Sequence, residues 1–192
     1  KLLASLPFEA YVSMNFDRLL ENALEKERIK YRRILKDSDV GLLQNDEKPV
    51  IKPHGCFSNE KEIIASSDDE IPFQTKFPLV DCFLKTKLAN KTVLFIGFGL
   101  KDKDFEQLHQ QLQLSLGTLA PHSYAVSLKP SAYDKEFWEN RNVKILDCDA
   151  GTFLKDIKAH INRQITNDLL DHEKDSWFCH PFFETLRDIK NL

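Results

Sequence analysis

No stretch of the 192 residues approaches the roughly 18 consecutive apolar side chains that a membrane-spanning helix needs, so no such helix is expected. The amino terminus lacks the charge, apolar run and small-residue cleavage site of a secretory leader. There is no basic excess: 27 Lys and Arg stand against 30 Asp and Glu, a net charge of −3 that offers no footprint for a phosphate backbone. Cys-x-x-Cys pairs are absent too. The four cysteines, Cys56, Cys82, Cys148 and Cys179, lie 26, 66 and 31 positions apart, which excludes zinc modules built on such pairs. These absences point to an intracellular, cytoplasmic chain without membrane, metal or direct nucleic-acid partner. In that compartment the cysteines read as free buried thiols rather than a disulfide framework.

What is present is 42% hydrophobic content in a length suited to one sizeable core. Ala10 to Met14 is a short strand-forming run. After Asn15, the residues Phe16, Leu19, Leu20, Ala23 and Leu24 recur at helical spacing. The stretch from Lys26 to Lys48 is charged and weakly periodic, and it ends in a second strand over Pro49 to Lys52 that stops at Pro53-His54-Gly55. Ser58 to Pro78 reads as an acidic, polar loop, followed by an amphipathic helix carrying Leu79, Val80, Phe83, Leu84 and Leu88. Thr92 to Ile96 has no polar alternation, which predicts a central parallel strand covered on both faces, with a helix over Phe105 to Leu116 after it. Two further strand–helix units follow, Ser123–Leu128 with Pro130–Arg141 and Val143–Asp147 with Thr152–Ile165. Strands alternating with helices imply a Rossmann-like α/β fold, a parallel sheet with helices on both faces. The domain is expected to occupy residues 1–166. Residues 167–192, with the aromatic cluster Trp177, Phe178, Phe182 and Phe183, form a helical tail or the start of a further domain. A chain that opens at Lys1, a few residues before a strand, reads as a fragment.

In open parallel sheets ligands bind beyond the carboxyl ends of the strands, so the polar residues just after each strand are the ones to weigh. Ser13-Met14-Asn15-Phe16-Asp17 comes first. As plain structure, Asn15 is a favoured helix cap and Asp17 complements the helix dipole; as chemistry, both would face the crevice. His54 sits at the second strand end with Gly55 behind it, placed either as a structural histidine or for acid–base work. Gly97-Phe98-Gly99 follows the apolar strand and would let a ligand approach the backbone, with Asp102 as the alternative explanation, a helix cap.

Taken together and in order, these elements resemble the sirtuin-like family, in particular its divergent branch linked to prokaryotic antiviral defence. Ser13-Met14-Asn15-Phe16-Asp17 is similar to that family's Thr-x-Asn-x-Asp element, Lys52-Pro53-His54-Gly55 to its Lys-x-His-Gly, and Gly97 to Phe105 to its Gly-aromatic-small-Leu-x-Asp-x-Asp-Phe. Ile145 to Asp149 resembles the final strand beside the adenine. The resemblance implies NAD as substrate, with Asn15 orienting the nicotinamide ribose and a water, and His54 accepting a proton. It further implies that Asp17 supports that geometry, that Gly97 and Gly99 lie against the adenosine half, and that Cys148 borders the adenine. Met14 stands where protein-deacetylating members carry glutamine, Phe98-Gly99 where they carry Thr-Ser, and their four-cysteine zinc module is missing. The implied activity is therefore hydrolysis of NAD to nicotinamide and ADP-ribose by an antiviral-defence effector, dependent on homo-oligomerisation or on a linked sensor domain or partner. A non-catalytic NAD- or ADP-ribose-binding or assembly domain is the alternative, and protein deacylation comes third. The family's opening Gly-Ala-Gly-x-Ser loop is not found, so the first strand and phosphate loop are expected upstream of Lys1.

Overall fold

The computed structural model describes residues 1–58, 73–97 and 121–171, with side chains to residue 164, and the positions 106, 110, 113, 114, 116 and 117. After a 3-10 turn at Leu3–Ser5, the chain forms β1 (Tyr11–Val12), α1 (Leu19–Lys26), β2 (Tyr31–Ile34), α2 (Asp37–Val40) and β3 (Lys48–Ile51). Then come α3 (Phe73–Lys76), α4 (Pro78–Asn90), β4 (Val93–Ile96), β5 (Ser123–Ser127), α5 (Ala132–Glu139), β6 (Val143–Asp147) and α6 (Ala150–Asp171). The described positions 106, 110, 113, 114 and 116 are helical, inside the stretch where a helix is expected. The aromatic tail, Gly99 and most of the acidic loop lie outside the described residues.

All strand pairs are parallel, in two three-stranded sheets ordered β1-β3-β2 and β4-β5-β6 and flanked by helices, which makes the fold Rossmann-like α/β. β2 is unforeseen by periodicity, because Arg32 and Arg33 occupy its middle. Arg32 is neutralised by a bidentate pair with Glu47 at 3.0 and 2.9 Å, 15 residues away in sequence. β3 lies between two partners yet contains Pro49. The backbone N–H groups of Lys48 and Lys52 donate to the carbonyls of Lys30, just before β2, and of Ile34 at its end, so the nitrogen of Pro49 faces the other side, at a position one residue before β1 begins to pair. A missing donor there costs no ladder bond.

β4 differs from its expectation. Each of its four residues is only half-buried, and among the described residues it pairs with β5 alone. Its apolar run therefore builds an outer strand of this sheet, and the fully buried positions belong to β5 and β6, where Ala125 and Val143 pack on Trp138 of α5.

Helix ends are set by short polar contacts. Ser131 caps α5 by accepting from Asp134 N–H at 3.0 Å, and Asp134 returns a bond to the Ser131 N–H. α4 begins with Pro78 and takes its cap from elsewhere in the chain: Asp37 Oδ1 accepts from the N–H groups of Leu79 and Val80 at 3.0 and 3.1 Å. Under β3, Ile34 and Ile51 pack on Val80 and Leu84 of α4. On its other side Tyr11, Leu24 and Val50 enclose Ala4. Leu6, Phe153, Leu154 and Ile157 form the core of the second sheet with Val126, and Leu3 and Phe8 are packed against both this core and the Tyr11 one, tying the two sheets together through the amino-terminal segment.

Candidate active site

The turn after β1 carries Ser13 to Asp17. Ser13 N–H continues the ladder to Ile51 O at 2.9 Å, and Ser13 Oγ accepts from the backbone N–H of Asn15 at 3.4 Å. Arg18, at the cap position of α1, supplies no side-chain cap; Asp17 Oδ1, one residue earlier, accepts from the N–H of Leu19, the first helical residue, at 2.9 Å. Asn15, four residues ahead of the helix, keeps its side chain exposed. The bond to Leu19 gives Asp17 a structural duty at the helix start in which the Asn15 side chain takes no part. The helix also starts later than the periodicity suggests, which puts Leu19 at its first position, 72% exposed.

The turn after β3 is closed by Gly55 N–H donating to Lys52 O at 2.9 Å. Gly55 has φ 88°, a left-handed conformation that a side chain would strain. His54 is half-buried, its ring 6.2 Å from that of Phe16. Phe57 stacks on Phe16 at 5.3 Å, and its N–H donates to Phe16 O at 3.0 Å. The two strand-end turns are therefore bonded to each other, and Asn15, Asp17 and His54 lie on adjoining loops at the carboxyl end of the first sheet.

Beneath them is a charged cluster that the sequence reading did not single out. Lys52 and Glu21 are both fully buried, with Lys52 Nζ 3.2 Å from Glu21 Oε1. The same ammonium donates to the carbonyl oxygen of Asp17 and lies 3.8 Å from Cys56 Sγ. Cys56, also fully buried, receives Ser58 Oγ at 3.3 Å and Arg33 Nη1 at 3.6 Å. Burial alone would push the Cys56 thiol up, but the Ser58 hydrogen bonds and the Lys52 and Arg33 charges outweigh it and draw it below the ordinary thiol value. The available signals were a lysine closing an otherwise apolar strand, Val50-Ile51-Lys52, and a glutamate three residues before Leu24 on the buried face of α1.

Of the other predicted site residues, Gly97 and Cys148 belong to the second sheet, and Gly99 lies outside the described residues. Gly97 ends β4 at φ 64°, and a Cβ built on it would meet no atom within 4 Å, so its backbone borders open space. Cys148 follows β6, half-buried; burial, with the neighbouring carboxylates of Asp147, Asp149 and Asp156, holds its thiol above the usual range. Asp149 caps α6 through Thr152 N–H at 2.9 Å. Nothing bonds Gly97 or Cys148 to the Asn15 and His54 turns among the described residues. No group of three or more His, Cys, Asp or Glu side chains placed to hold a metal occurs among those residues, and no helix there is long and apolar enough to cross a membrane.

The chain is 30% identical over 118 residues to the NAD(+) hydrolase ThsA of Cytobacillus dafuensis, covering 61% of this chain and 24% of that protein. It is 25% identical over 153 residues to the defense-associated sirtuin 2 of Bacillus subtilis, 77% of this chain and 15% of the relative. With the ThsA of Acinetobacter baumannii it shares 26% over 135 residues, 70% of this chain and 28% of that protein. The chain thus spans between 15% and 28% of the length of these relatives. The family model described as SIR2-like domain matches residues 9–146, well over half of the chain and inclusive of both strand-end turns, so this chain belongs to the SIR2-like domain family.

Proposed function

We propose that the chain is the NAD-hydrolysing part of an antiviral-defence effector, with Asn15 and His54 as the groups that act on the substrate. The observation that carries this reading is the bonded pair of turns at the end of the first sheet, which holds an exposed Asn15 and a half-buried His54 on adjoining loops, with Asp17 bonded to the start of α1. Family membership and relatives named as NAD(+) hydrolases support the same substrate.

In the proposed reaction the bond between the nicotinamide nitrogen and ribose C1′ breaks, its electron pair leaving with nicotinamide, while water oxygen bonds to C1′. The water proton passes to the imidazole of His54, which acts as the general base. Charge on the ribose becomes oxocarbenium-like on the way, as in glycosidic cleavage generally, and the Asn15 amide positions both the sugar hydroxyls and the water. Asp17 fixes the turn through its bond to the Leu19 N–H at the start of α1. Gly97 and Gly99 border the adenosine half, with Cys148 beside the adenine. The effector works in the cytoplasm, and homo-oligomerisation or a linked sensor domain or partner switches it on.

The test is nicotinamide release from NAD by the full-length protein. Asn15→Ala and His54→Ala should each lower the rate by at least about a hundredfold while the circular dichroism spectrum is kept. Full activity in either folded variant rejects its role. Binding of NAD without turnover by the unsubstituted protein would favour a non-catalytic nucleotide-binding or assembly domain instead.

A further inference from the structure

We infer that Lys52 is a positioning residue, a buried strut whose ammonium joins the Asn15 turn to the His54 turn and fixes the two against each other. The inference rests on the reading of those turns as the site of NAD hydrolysis.

An ammonium has three protons to donate, and three partners surround this one: the Asp17 carbonyl on the first turn, Glu21 Oε1 in the first turn of α1, and Cys56 Sγ just past the second turn. Asp17 is two residues from Asn15, while Lys52 and Cys56 bracket His54 by two residues on each side. Any rotation of one loop against the other therefore has to break a bond to a fully buried cation. The Phe57–Phe16 backbone bond lies at the exposed edge, with Phe57 67% exposed, and is the weaker of the two links.

The cluster is expensive to keep. Removing an ion pair from water costs several kcal/mol per ion, and apolar replacements of similar volume are often no less stable. Glu21 Oε2, moreover, is buried without a hydrogen-bond partner. Stability alone is thus a poor reason for Lys52 and Glu21, whereas a directional tie between two loops is something an apolar pair cannot supply. Charge balance fits as well: Lys52 and Arg33 stand against Glu21 and the Cys56 sulfur, whose ionisation they favour.

The experiment compares the full-length protein with the double substitution Glu21→Leu with Lys52→Met, and with His54→Ala as the catalytic control. The double variant should unfold at an unchanged or higher urea concentration and show kcat for nicotinamide release lower by about a hundredfold, with KM little altered, as expected for an ångström-scale misplacement. A folded double variant with the unsubstituted kcat overturns the inference, and so does a loss confined to KM. Should the double variant not fold, Glu21→Gln takes its place, since it preserves shape and the Asp17 bond; a kcat loss of about tenfold supports the strut, and an unchanged kcat overturns it. If the unsubstituted protein releases no nicotinamide, the hydrolase reading fails separately. Amide hydrogen exchange at residues 13–17 and 53–57 then decides: protection lost in the double variant supports the strut, and protection retained overturns it.

Discussion

The β1-β3-β2 half and the β4-β5-β6 half use the same parallel strands, but they spend their interiors differently. In the first, a central strand that is buried at Pro49, Val50, Ile51 and Lys52 ends in a lysine, a glutamate and a thiol with no access to water. In the second, the buried positions among the described residues are apolar, such as Ala125, Val126, Trp138, Val143, Phe153, Leu154 and Ile157, apart from the uncharged Ser123, and the ion pair Lys135 with Asp147 at 3.6 Å lies on the surface where it contributes little. One half orders loops by buried charge; the other is held by apolar packing and offers open backbone at Gly97. On the proposed reading of the Asn15 and His54 turns, loop positioning and bulk stability are divided between the two halves, and substitutions in each should separate them experimentally.

The sharpest break comes from Lys52→Met made alone. It leaves Glu21 buried without its ion-pair partner, and the cost should be about 3–5 kcal/mol in urea unfolding, all of it recovered when Glu21→Leu is added. Equal stability of the single and double variants would show that the pair is not coupled. Next in size is Ile157→Ala in the second half, which removes a fully buried side chain from α6 and should cost about 3 kcal/mol. Under conditions where the variant remains folded, its kcat should stay close to the unsubstituted value, because Ile157 packs among Leu6, Phe153 and Leu154 and touches neither strand-end turn. A large kcat loss in the folded Ile157 variant would erase the distinction between the halves.

Strand–helix alternation was legible because parallel strands and their helices leave apolar runs of different period; β3, β4, β5, β6 and α4 fall close to where the periodicity puts them. β2 was not, since its two arginines read as a solvated segment until Glu47, Cys56 and Ser58 are brought alongside them by folding. The half-burial of β4 was equally hidden, because an apolar run specifies that a strand will pack but not which neighbours it receives. At the site, Asn15 and His54 stood out by lying just after strands. Lys52 did not, although it sits in the same short element: its meaning depends on Glu21, 31 residues earlier, and on a carbonyl oxygen that no side-chain pattern encodes.

The smallest effect belongs to Tyr11, the buried residue of β1, whose hydroxyl has no hydrogen-bond partner and whose phenol is pushed up to about 12 by burial. Its ring packs edge-on against Phe8 at 5.8 Å and needs no oxygen to do so. Tyr11→Phe should therefore stabilise the protein by about 1 kcal/mol at neutral pH, by removing a desolvated donor. The sign of the pH effect follows from the raised phenol. Below about pH 10 the group is protonated in both states and contributes no slope; between about 10 and 12 the unfolded phenol ionises while the folded one stays neutral, so stability falls as pH rises. Tyr31, also raised by burial and by the Glu25 carboxylate against the opposing pull of Arg18, leaves a residual slope of the same sign. Urea midpoints measured on either side of that window should fall less steeply in Tyr11→Phe than in the unsubstituted protein. Parallel curves would mean that Tyr11 reaches water, and that the end of the first sheet beside Asn15 is more open than its packing shows.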